Sequence, residues 1–384
     1  MKKTEIVVAG HLCLDIHPEF GFDKDQKVET LFRPGRLIEI DGVSVSTGGP
    51  VSNTGFALAR LGLATQTVGN IGNDEFGSLV AAVAERETGQ SPHRSDGVST
   101  SYSIILSPPG IDRIILHDPA GNNEFAASDI DFDDVGKAGY FHFGYPPLMR
   151  NIYQNGGAEL MRIYKQAKAA GAVTSLDMSL PDVDSDSGKV DWKSIIESVL
   201  EYVDVFVPSI EEILFMMDRA EYDRIMAISS GDDFTQHVDF SKVRSMGDTL
   251  LKLGSAIVMI KCGANGIYIK TAGPARMQRI GKPEWADAEL FQPTYHVEDF
   301  KSALGGGDTT VAGFLSGMIR GYSLFDCARL ACRTGAQCCT TYNSVDGLLP
   351  LEQIYEMISS AKINHTDLPI SALKFDETEQ MFLR

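Results

Sequence analysis

Residues 305–314 read Gly-Gly-Gly-Asp-Thr-Thr-Val-Ala-Gly-Phe, a glycine run that leads into a helix of small and apolar residues. Three glycines leave the backbone free of side chains, so its amide groups can approach an anion closely. The helix that follows directs the positive end of its dipole to the same place. The stretch therefore predicts an anion hole for a phosphate group at Gly305, Gly306 and Gly307.

Asp308 follows the glycine run directly. A carboxylate beside a phosphate site suits a general base that takes a proton from an attacking hydroxyl. The alternative is that Asp308 only caps the helix, since an acidic cap after a glycine is common. The loop is not a Walker A sequence, and no G-x-G-x-x-G follows the first apolar strand. Both absences argue against a P-loop protein or a dinucleotide-dependent oxidoreductase.

The chain on either side of this loop alternates short apolar runs with helix-like segments. Strands are predicted at residues 6–9, 65–71, 140–143, 173–177, 203–207, 256–261 and 267–270. Helices are predicted at residues 52–61, 75–87, 158–170, 211–217, 309–319, 324–341 and 351–361. This alternation predicts an α/β fold in which a largely parallel sheet carries helices on both faces.

Two β-rich regions interrupt the alternation. Residues 37–46 alternate apolar and polar side chains, and residues 101–107 and 111–117 are β-rich runs joined by Pro-Pro-Gly, which predicts a hairpin. We expect a small antiparallel sheet that serves as a lid. The polar stretch 220–249 is interpreted as a surface insertion, and the proline-rich stretch 272–301 as irregular.

Two further glycine motifs are candidates for ligand contacts. Gly48-Gly49 precedes a predicted helix and is a plausible hinge, with Asn53 in the first helical turn. Residues 261–266 read Lys-Cys-Gly-Ala-Asn-Gly after an apolar strand. Taken alone, the first motif is equally compatible with a flexible turn and the second with a simple hairpin turn.

Composition limits the classes of partner. The 384 residues include 52 Asp and Glu against 34 Lys and Arg, a formal net charge of −18. Such a surface repels phosphate backbones and anionic lipids, which argues against nucleic-acid and membrane partners. No C-x-x-C occurs among the six cysteines, which favours reduced thiols over a zinc site. No apolar stretch approaches the roughly 18 residues of a transmembrane helix, so a cytoplasmic location is expected.

Two motifs in order resemble the signatures of the ribokinase-like (PfkB) carbohydrate kinases. The N-terminal one comprises Gly48-Gly49 with Asn53 and the stretch 69–77, Gly-Asn-Ile-Gly-Asn-Asp-Glu-Phe-Gly; the C-terminal one is the loop with Asp308. The resemblance implies a Rossmann-type three-layer α/β sandwich with a small β-sheet lid. It implies an α/β core of residues 1–17, 48–98 and 118–384, and a discontinuous lid of residues 18–47 and 99–117.

The resemblance also assigns roles to individual residues. Asp15, Gly48, Gly49 and Asn53 correspond to the residues that bind the sugar. Gly305, Gly306 and Gly307 correspond to the anion hole, and Asp308 to the catalytic base. Lys261, Gly263 and Gly266 correspond to the nucleotide-binding turn, which would contact ATP.

The sequence departs from the family pattern at two places. The family carries N-x-x-E where this chain has Ser209 and Glu212. Ser209 would still contact the nucleotide, and Glu212 would help to organise Mg²⁺ through water. The C-terminal signature opens with Ser302-Ala303 in place of Asp-Thr. Since that aspartate helps to build a monovalent-cation site in the family, the change puts potassium activation in doubt.

The function implied is a phosphotransferase that phosphorylates a sugar hydroxyl with ATP and Mg²⁺. Two alternatives stay open: a nucleoside kinase, whose acceptor is also a ribose hydroxyl, and a non-catalytic sugar- or nucleotide-binding protein of the same fold. A homodimer through the lid is expected by resemblance, and an unpaired β edge favours association as well.

Overall fold

The computed structural model describes residues 3–21, 32–108, 114–229, 232–364, 370 and 372–384. Its strands are β1 (Ile6–Gly10), β2 (Cys13–Glu19), β3 (Gly42–Gly48), β4 (Thr65–Val68), β5 (Ile71–Gly72), β6 (Arg94–Ser95), β7 (Tyr102–Leu106), β8 (Ile114–Asp118), β9 (Tyr140–Gly144), β10 (Val173–Asp177), β11 (Val205–Phe206), β12 (Ile257–Lys261), β13 (Gly266–Thr271), β14 (Glu289–Pro293), β15 (Lys374–Asp376) and β16 (Met381–Leu383). Its helices are α1 (Pro50–Arg60), α2 (Glu75–Thr88), α3 (Phe132–Ala138), α4 (Arg150–Ala169, with non-helical backbone at residues 154–157), α5 (Trp192–Val199), α6 (Ile210–Met217), α7 (Arg219–Ser229), α8 (Phe240–Leu253), α9 (Pro274–Arg279), α10 (Gly306–Arg320), α11 (Leu324–Cys338) and α12 (Leu351–Ile358).

Ten strands form one sheet in the order β15-β16-β14-β13-β12-β11-β10-β9-β1-β4. The six strands from β12 to β4 are parallel, and the other four extend the sheet in antiparallel pairs. β1 reads Ile-Val-Val-Ala-Gly and is buried along its whole length, as a parallel strand between two helical layers should be. The predicted α/β fold with a mainly parallel sheet is confirmed.

The apolar core lies on both faces of this sheet. Val7 and Ala9 of β1 belong to one buried cluster, whereas Ile6 and Val8 belong to another. Because alternate residues of a strand point to opposite faces, the two clusters are the two interfaces between the sheet and its helical layers. The fold is therefore a three-layer sandwich.

A second, four-stranded sheet has the order β3-β2-β7-β8. Its outer pairs are antiparallel, as expected, but β2 and β7 are parallel, so the sheet is mixed and the expectation of an antiparallel sheet is wrong for that pair. The predicted hairpin is present as the antiparallel pair of β7 and β8, although its turn at residues 109–113 lies outside the described residues. We call this sheet the lid sheet. Its strand β2 begins at Cys13, so the expected boundary between residues 17 and 18 falls inside a strand. Residues 22–31 of the expected lid also lie outside the described residues.

Residues 220–249, interpreted as a surface insertion, include a helix that packs into the core, and residues 272–301, interpreted as irregular, include a strand, so both interpretations are wrong. Residues 240–253 form α8, whose Phe240, Val243 and Leu250 are buried in the core. Residues 289–293 form β14, a fully buried strand that pairs with β13. Polar residues between the apolar positions of α8 conceal its buried stripe in the sequence. The Glu and Pro at the ends of β14 are equally unusual for an inner strand.

Candidate active site

Side chains converge where the parallel strands end. Gly10 of β1 pairs with Gly144 of β9, and Gly144 pairs with Asp177 of β10, so these three strands end level with one another. Lys261 is the last residue of β12, two strands further along the sheet. The carboxyl edge of a parallel sheet is where ligands bind in open α/β folds. This edge therefore presents Tyr145, Asp177 and Lys261 to one cleft.

The glycine loop forms the start of α10. Gly305 caps the helix with a left-handed backbone, at φ 73°. A side chain at Gly305 would clash with Ser344, and one at Gly307 would lie 3.7 Å from the Lys261 Nζ atom. The second distance is an ordinary van der Waals contact, and it shows that the Lys261 ammonium group lies beside the helix N-terminus. The Gly306 amide donates to the Ala303 carbonyl oxygen at 3.1 Å, so this amide is already used within the loop.

Asp308 is buried in the first turn of α10 and accepts hydrogen bonds from three side chains. Asn53 Nδ2 donates to Oδ2 at 3.1 Å, and Thr54 Oγ1 to Oδ1 at 3.3 Å. The Tyr145 hydroxyl lies 2.8 Å from Oδ2 and 2.9 Å from Oδ1. Burial raises the pKa of the Asp308 carboxyl, while Lys261 and these three hydrogen bonds oppose that rise in pKa. A buried carboxyl with a raised pKa is suited to accepting a proton.

Asn53 joins two parts of the site. Its side-chain oxygen accepts a hydrogen bond from Ser344 Oγ at 2.8 Å, while its amide nitrogen donates to Asp308. The same Ser344 is the residue against which Gly305 packs. Asn53 lies one turn after Gly49, whose carbonyl oxygen accepts its backbone N–H at 2.8 Å. The first turn of α1 thus connects the glycine pair to the buried carboxylate.

Lys261 forms a buried ion pair with Asp177. The Nζ atom lies 2.7 Å from Asp177 Oδ1, and neither side chain exposes more than 12% of its surface. Burial lowers the pKa of Lys261, but the nearby carboxylates of Asp177, Glu212 and Asp308 more than compensate, and the pKa is raised. Burial raises the pKa of Asp177, and Lys261 opposes that rise in pKa. The buried Asp177 Oδ2 atom has no hydrogen-bond partner among the described residues.

Ser209 and Glu212 form a capping box at the start of α6. The Ser209 side chain accepts from the Glu212 N–H at 3.1 Å, and the Glu212 carboxylate accepts from the Ser209 N–H at 2.6 Å. Ser209 also forms a β-bridge with Lys261, which places the cap beside the ion pair. The serine at this position therefore retains the cap.

A cavity of about 580 Å³ opens beside the glycine loop. Its lining includes Lys261, Gly263, Gly266, Gly306 and Gly307, which are five of the predicted nucleotide and anion-hole residues. Ser209 is not part of the lining, although its β-bridge holds it beside Lys261, which is. Apolar and aromatic side chains also line the cavity: Ile267, Tyr295, Val297, Phe300, Cys332 and Ala336. The cavity thus combines the Lys261 ammonium group with a mainly apolar wall.

The lid sheet presents polar groups from the opposite side. Ser46, Asp15, Ser103 and His117 are neighbours in one row across its four strands. Asp15 is 6% exposed, and burial raises the pKa of its carboxyl. A side chain at Gly48 would clash with the Asp15 carboxylate, so the predicted glycine pair and aspartate do lie together.

Several residues of the site were missed by the sequence interpretation. His11 and His117 lie with their Nε2 atoms 3.2 Å apart, His117 Nδ1 lies 3.1 Å from Ser103 Oγ, and the buried His11 Nδ1 has no hydrogen-bond partner among the described residues. Tyr145 follows β9 and Asp177 ends β10. Only knowledge of the strand order could have indicated that these two residues lie at the site. Of these residues, only His117 could have been indicated by the sequence, because it lies in the alternating pattern of the second hairpin strand, which ends at Asp118.

Within the described ranges, no three His, Cys, Asp or Glu side chains converge as a metal site. The helices described there include none that is both long and apolar enough to cross a bilayer.

Comparison with known proteins identifies the family. Residues 3–350 match the model of the pfkB family carbohydrate kinases. An uncharacterised sugar kinase from Archaeoglobus fulgidus is 26% identical over 76% of this chain and 97% of its own length. A 5-dehydro-2-deoxygluconokinase from Clostridium perfringens is 22% identical over 96% of both chains. The structure of Arabidopsis thaliana ribokinase with ribose and ATP superposes with a TM-score of 0.70, at 19% identity, over 92% of this chain and 98% of its own.

The structural likeness shows that the fold is ribokinase-like, and the family match spans nearly the whole chain. Together with the glycine loop, the buried carboxylate and the lid sheet, these matches confirm the resemblance inferred from the two sequence motifs. The chain belongs to the pfkB family of carbohydrate kinases and is a phosphotransferase that acts on a sugar hydroxyl.

Proposed function

We propose that this protein transfers the γ-phosphoryl group of ATP to a sugar hydroxyl, with Asp308 as the general base. The observation that carries the proposal is the position of Asp308. It is buried at the N-terminus of α10, between the cavity at Lys261 and Gly307 and the α1 turn that leads to the lid sheet. A carboxylate between a phosphate site and a polar pocket can deprotonate one substrate for attack on the other.

The reaction needs one proton transfer and one phosphoryl transfer. The acceptor hydroxyl gives its proton to Asp308 as its oxygen bonds to the γ-phosphorus, and the bond to the bridging oxygen breaks to release ADP. Lys261 and the N-terminus of α10 offer positive charge to the transferring group. Within the Gly305–Gly307 loop this role would fall to the Gly305 and Gly307 amides, because the Gly306 amide is bonded to Ala303. The 580 Å³ cavity with its apolar lining suits the nucleotide, in contact with Lys261, Gly263 and Gly266. Ser209, which lies beside Lys261 but does not line the cavity, would reach the nucleotide only near that lysine.

The acceptor would occupy the polar side of the site. Asp15 can accept hydrogen bonds from two sugar hydroxyls, and its contact with Gly48 places it beside the α1 turn. Gly49 and Asn53 continue that turn to Asp308. The lid sheet then covers the sugar and keeps water away from ATP.

The acidic groups beside Lys261 fit a magnesium ion bound with ATP. Asp177 has a buried oxygen without a partner among the described residues, and Glu212 lies close enough to Lys261 and Asp177 to affect the pKa of both. Hard carboxylate oxygens of this kind hold Mg²⁺ directly or through water. When bound, the ion would neutralise charge on the phosphates.

We propose that the enzyme does not require a monovalent cation, because Ser302-Ala303 supplies no carboxylate to bind one. Equal rates in KCl and NaCl would support this proposal.

The base assignment is tested by Asp308→Asn. We expect kcat to fall by roughly 10²- to 10⁴-fold, the usual contribution of a general base, because asparagine cannot take the proton. Asp131→Asn serves as the matched control, since Asp131 is an exposed cap of α3 that lies outside the site. Steady-state rates on the best acceptor give the comparison. A near-wild-type rate for Asp308→Asn would overturn the assignment.

The acceptor is best found by measuring ADP release with free sugars, sugar acids and nucleosides. The similar proteins named above suggest ribose and 5-dehydro-2-deoxygluconate as first candidates. A nucleoside as the best acceptor would support the alternative of a nucleoside kinase. Sugar or nucleotide binding in calorimetry, with no ATP turnover on any acceptor, would instead indicate a non-catalytic binding protein.

We further propose that a second copy of this chain covers the outer face of the lid sheet. Val45, Ile16, Ile104 and Leu116 form one row across its four strands, on the face opposite Asp15. Val45 is 50% and Leu116 is 53% exposed, although both are apolar. β3 is an edge strand of this sheet. An exposed apolar face beside an edge strand favours self-association.

A further inference from the structure

Tyr145 is held in an unusual backbone conformation directly after β9. Its φ is 63° and its ψ is 47°, the left-handed region, which is rare for an aromatic residue. Its N–H donates to the Asp177 carbonyl oxygen at 3.3 Å, and its carbonyl oxygen accepts from the Leu148 N–H at 3.0 Å. Strained backbone of this kind persists where the surrounding structure requires a particular side-chain direction, and it is enriched at functional sites.

The Tyr145 side chain points towards the carboxylate of Asp308. The phenol oxygen lies 2.8 Å from Oδ2 and 2.9 Å from Oδ1, so it is equally placed for either oxygen. A phenol has one proton to donate, and it therefore serves one carboxylate oxygen fully at a time. Tyr145 is half-buried and borders the cleft rather than filling the core.

The three side chains that donate to Asp308 leave room for one further hydrogen bond to its carboxylate. Asn53 donates to Oδ2 and Thr54 to Oδ1, at 3.1 Å and 3.3 Å. A carboxylate offers about four lone-pair positions, so Asn53, Thr54 and Tyr145 together leave one position free. An acceptor hydroxyl that takes this position would meet a carboxylate already oriented by three donors.

We propose that Tyr145 is a positioning residue: its hydroxyl holds one oxygen of the Asp308 carboxylate and keeps the other available for the proton of the acceptor hydroxyl. This inference rests on the proposed role of Asp308 as the base. It assigns to Tyr145 no direct contact with the reacting atoms.

Other titratable groups also act on Asp308, and the test must separate their effects from that of Tyr145. Lys261 faces it from β12 and Cys338 from α11, and Asp177 lies at the end of β10. Glu212 affects Tyr145 and Lys261. Removal of the Tyr145 hydroxyl alters none of these groups directly. It removes one donor that lowers the pKa of Asp308, so the pKa of this carboxyl should rise.

Tyr145→Phe removes only the hydroxyl. We expect the acidic limb of the pH profile of kcat/KM to move to higher pH by about 1 unit, because a donor to the ionised carboxylate has been lost. At pH values below this limb the rate should fall about tenfold, and it should recover as the pH rises above the limb, with the acceptor KM changed less than about threefold. Tyr140→Phe is the matched control, since Tyr140 begins the same strand at the opposite edge of the sheet.

A second measurement needs no acceptor and so stays valid if the proposed function fails. The pKa of Asp308 is followed by carboxyl ¹³C NMR in the apo protein, with Asp308→Asn identifying the signal. Tyr145→Phe should raise this pKa, and 3-fluorotyrosine at position 145, a stronger donor, should lower it. An unchanged pKa in both proteins would overturn the proposal. So would a Tyr145→Phe enzyme whose only defect is a raised acceptor KM.

Discussion

At the scale of single residues, Gly305 shows what the glycine loop requires. Its left-handed backbone, at φ 73°, is matched by that of Gly321, at φ 80°, at the other end of α10. A side chain at Gly305 would clash with Ser344, whereas one at Gly321 would meet nothing within 4 Å. Substitution of Gly321 therefore tests backbone strain alone, whereas substitution of Gly305 tests the same strain together with the contact to Ser344.

We predict that Gly305→Ala abolishes most activity and that Gly321→Ala does not. Strain of alanine at positive φ should lower the free energy of unfolding by about 1 kcal/mol in each variant, and the clash with Ser344 should add to this loss for Gly305→Ala. Only Gly305→Ala should also displace Ser344 and, through it, Asn53. Denaturant unfolding and steady-state rates of the two variants provide the comparison. Equal loss of activity in both would contradict the role of the local contact.

The ion pair of Lys261 and Asp177 supports a second prediction at this scale. Lys261→Met should lower the free energy of unfolding at pH 7 by about 3–5 kcal/mol, since it leaves a buried carboxylate without its partner. Adding Asp177→Asn should recover a substantial part of that loss, because the unpaired charge is then absent. Urea unfolding of the single and double variants tests this. A double variant no more stable than Lys261→Met would count against the explanation.

At the scale of elements, Glu289 at the start of β14 ties together several parts of the antiparallel edge. Arg244 of α8 donates to it at 2.5 Å, the Tyr268 hydroxyl of β13 donates at 2.9 Å, and Arg384 donates at 3.3 Å. Burial raises the pKa of Glu289, but Arg244, Tyr268 and Lys270 outweigh burial and lower the pKa to about 2. The carboxylate thus favours the folded state only while it is ionised.

This lowered pKa predicts how stability depends on pH. The contribution of Glu289 should be complete above its unfolded-state pKa, near 4.3, and should diminish as the pH falls towards 2. Glu289→Gln should therefore destabilise the protein at pH 6 by on the order of 1–2 kcal/mol, and by less at pH 3. Urea titrations at both pH values measure the difference. Glu356→Gln, at an exposed position of α12, is the control, and a difference for Glu289→Gln that does not shrink in acid would disprove the assignment.

The elements also show why prediction succeeded in part. The apolar runs of β1, β10 and β12 and the small-residue helix α10 are local signals, and the structure contains each of them. α8 and β14 were misread, because their burial depends on neighbours that are distant in the sequence. Strand β2 passes directly from the end of β1 into the lid sheet, a change of sheet that no local pattern indicates.

At the scale of the whole molecule, the exposed apolar row of the lid sheet predicts the oligomeric state. We expect a dimer with the lid sheets in contact, and Val45→Asp should weaken the dimer at least about tenfold by burying a charge in the interface. Ile228→Asp is the control, because Ile228 is equally exposed, at 50%, on α7. Sedimentation velocity measures the mass of each. A monomeric wild-type protein at working concentration would contradict the proposal.

The sequence by itself determined the class of fold and singled out one loop as a candidate site. Glycine runs, apolar strands and an adjacent carboxylate are local properties, so the amino-acid order was sufficient to select Asp308, Gly305 and Lys261 as candidates. Tertiary structure alone decided what surrounds the carboxylate. Asn53 and Asp308 are 255 positions apart, and Tyr145 and Asp308 are 163 apart. Such contacts depend on the order in which the strands assemble, because parallel neighbours are joined through long crossovers and not through adjacent residues.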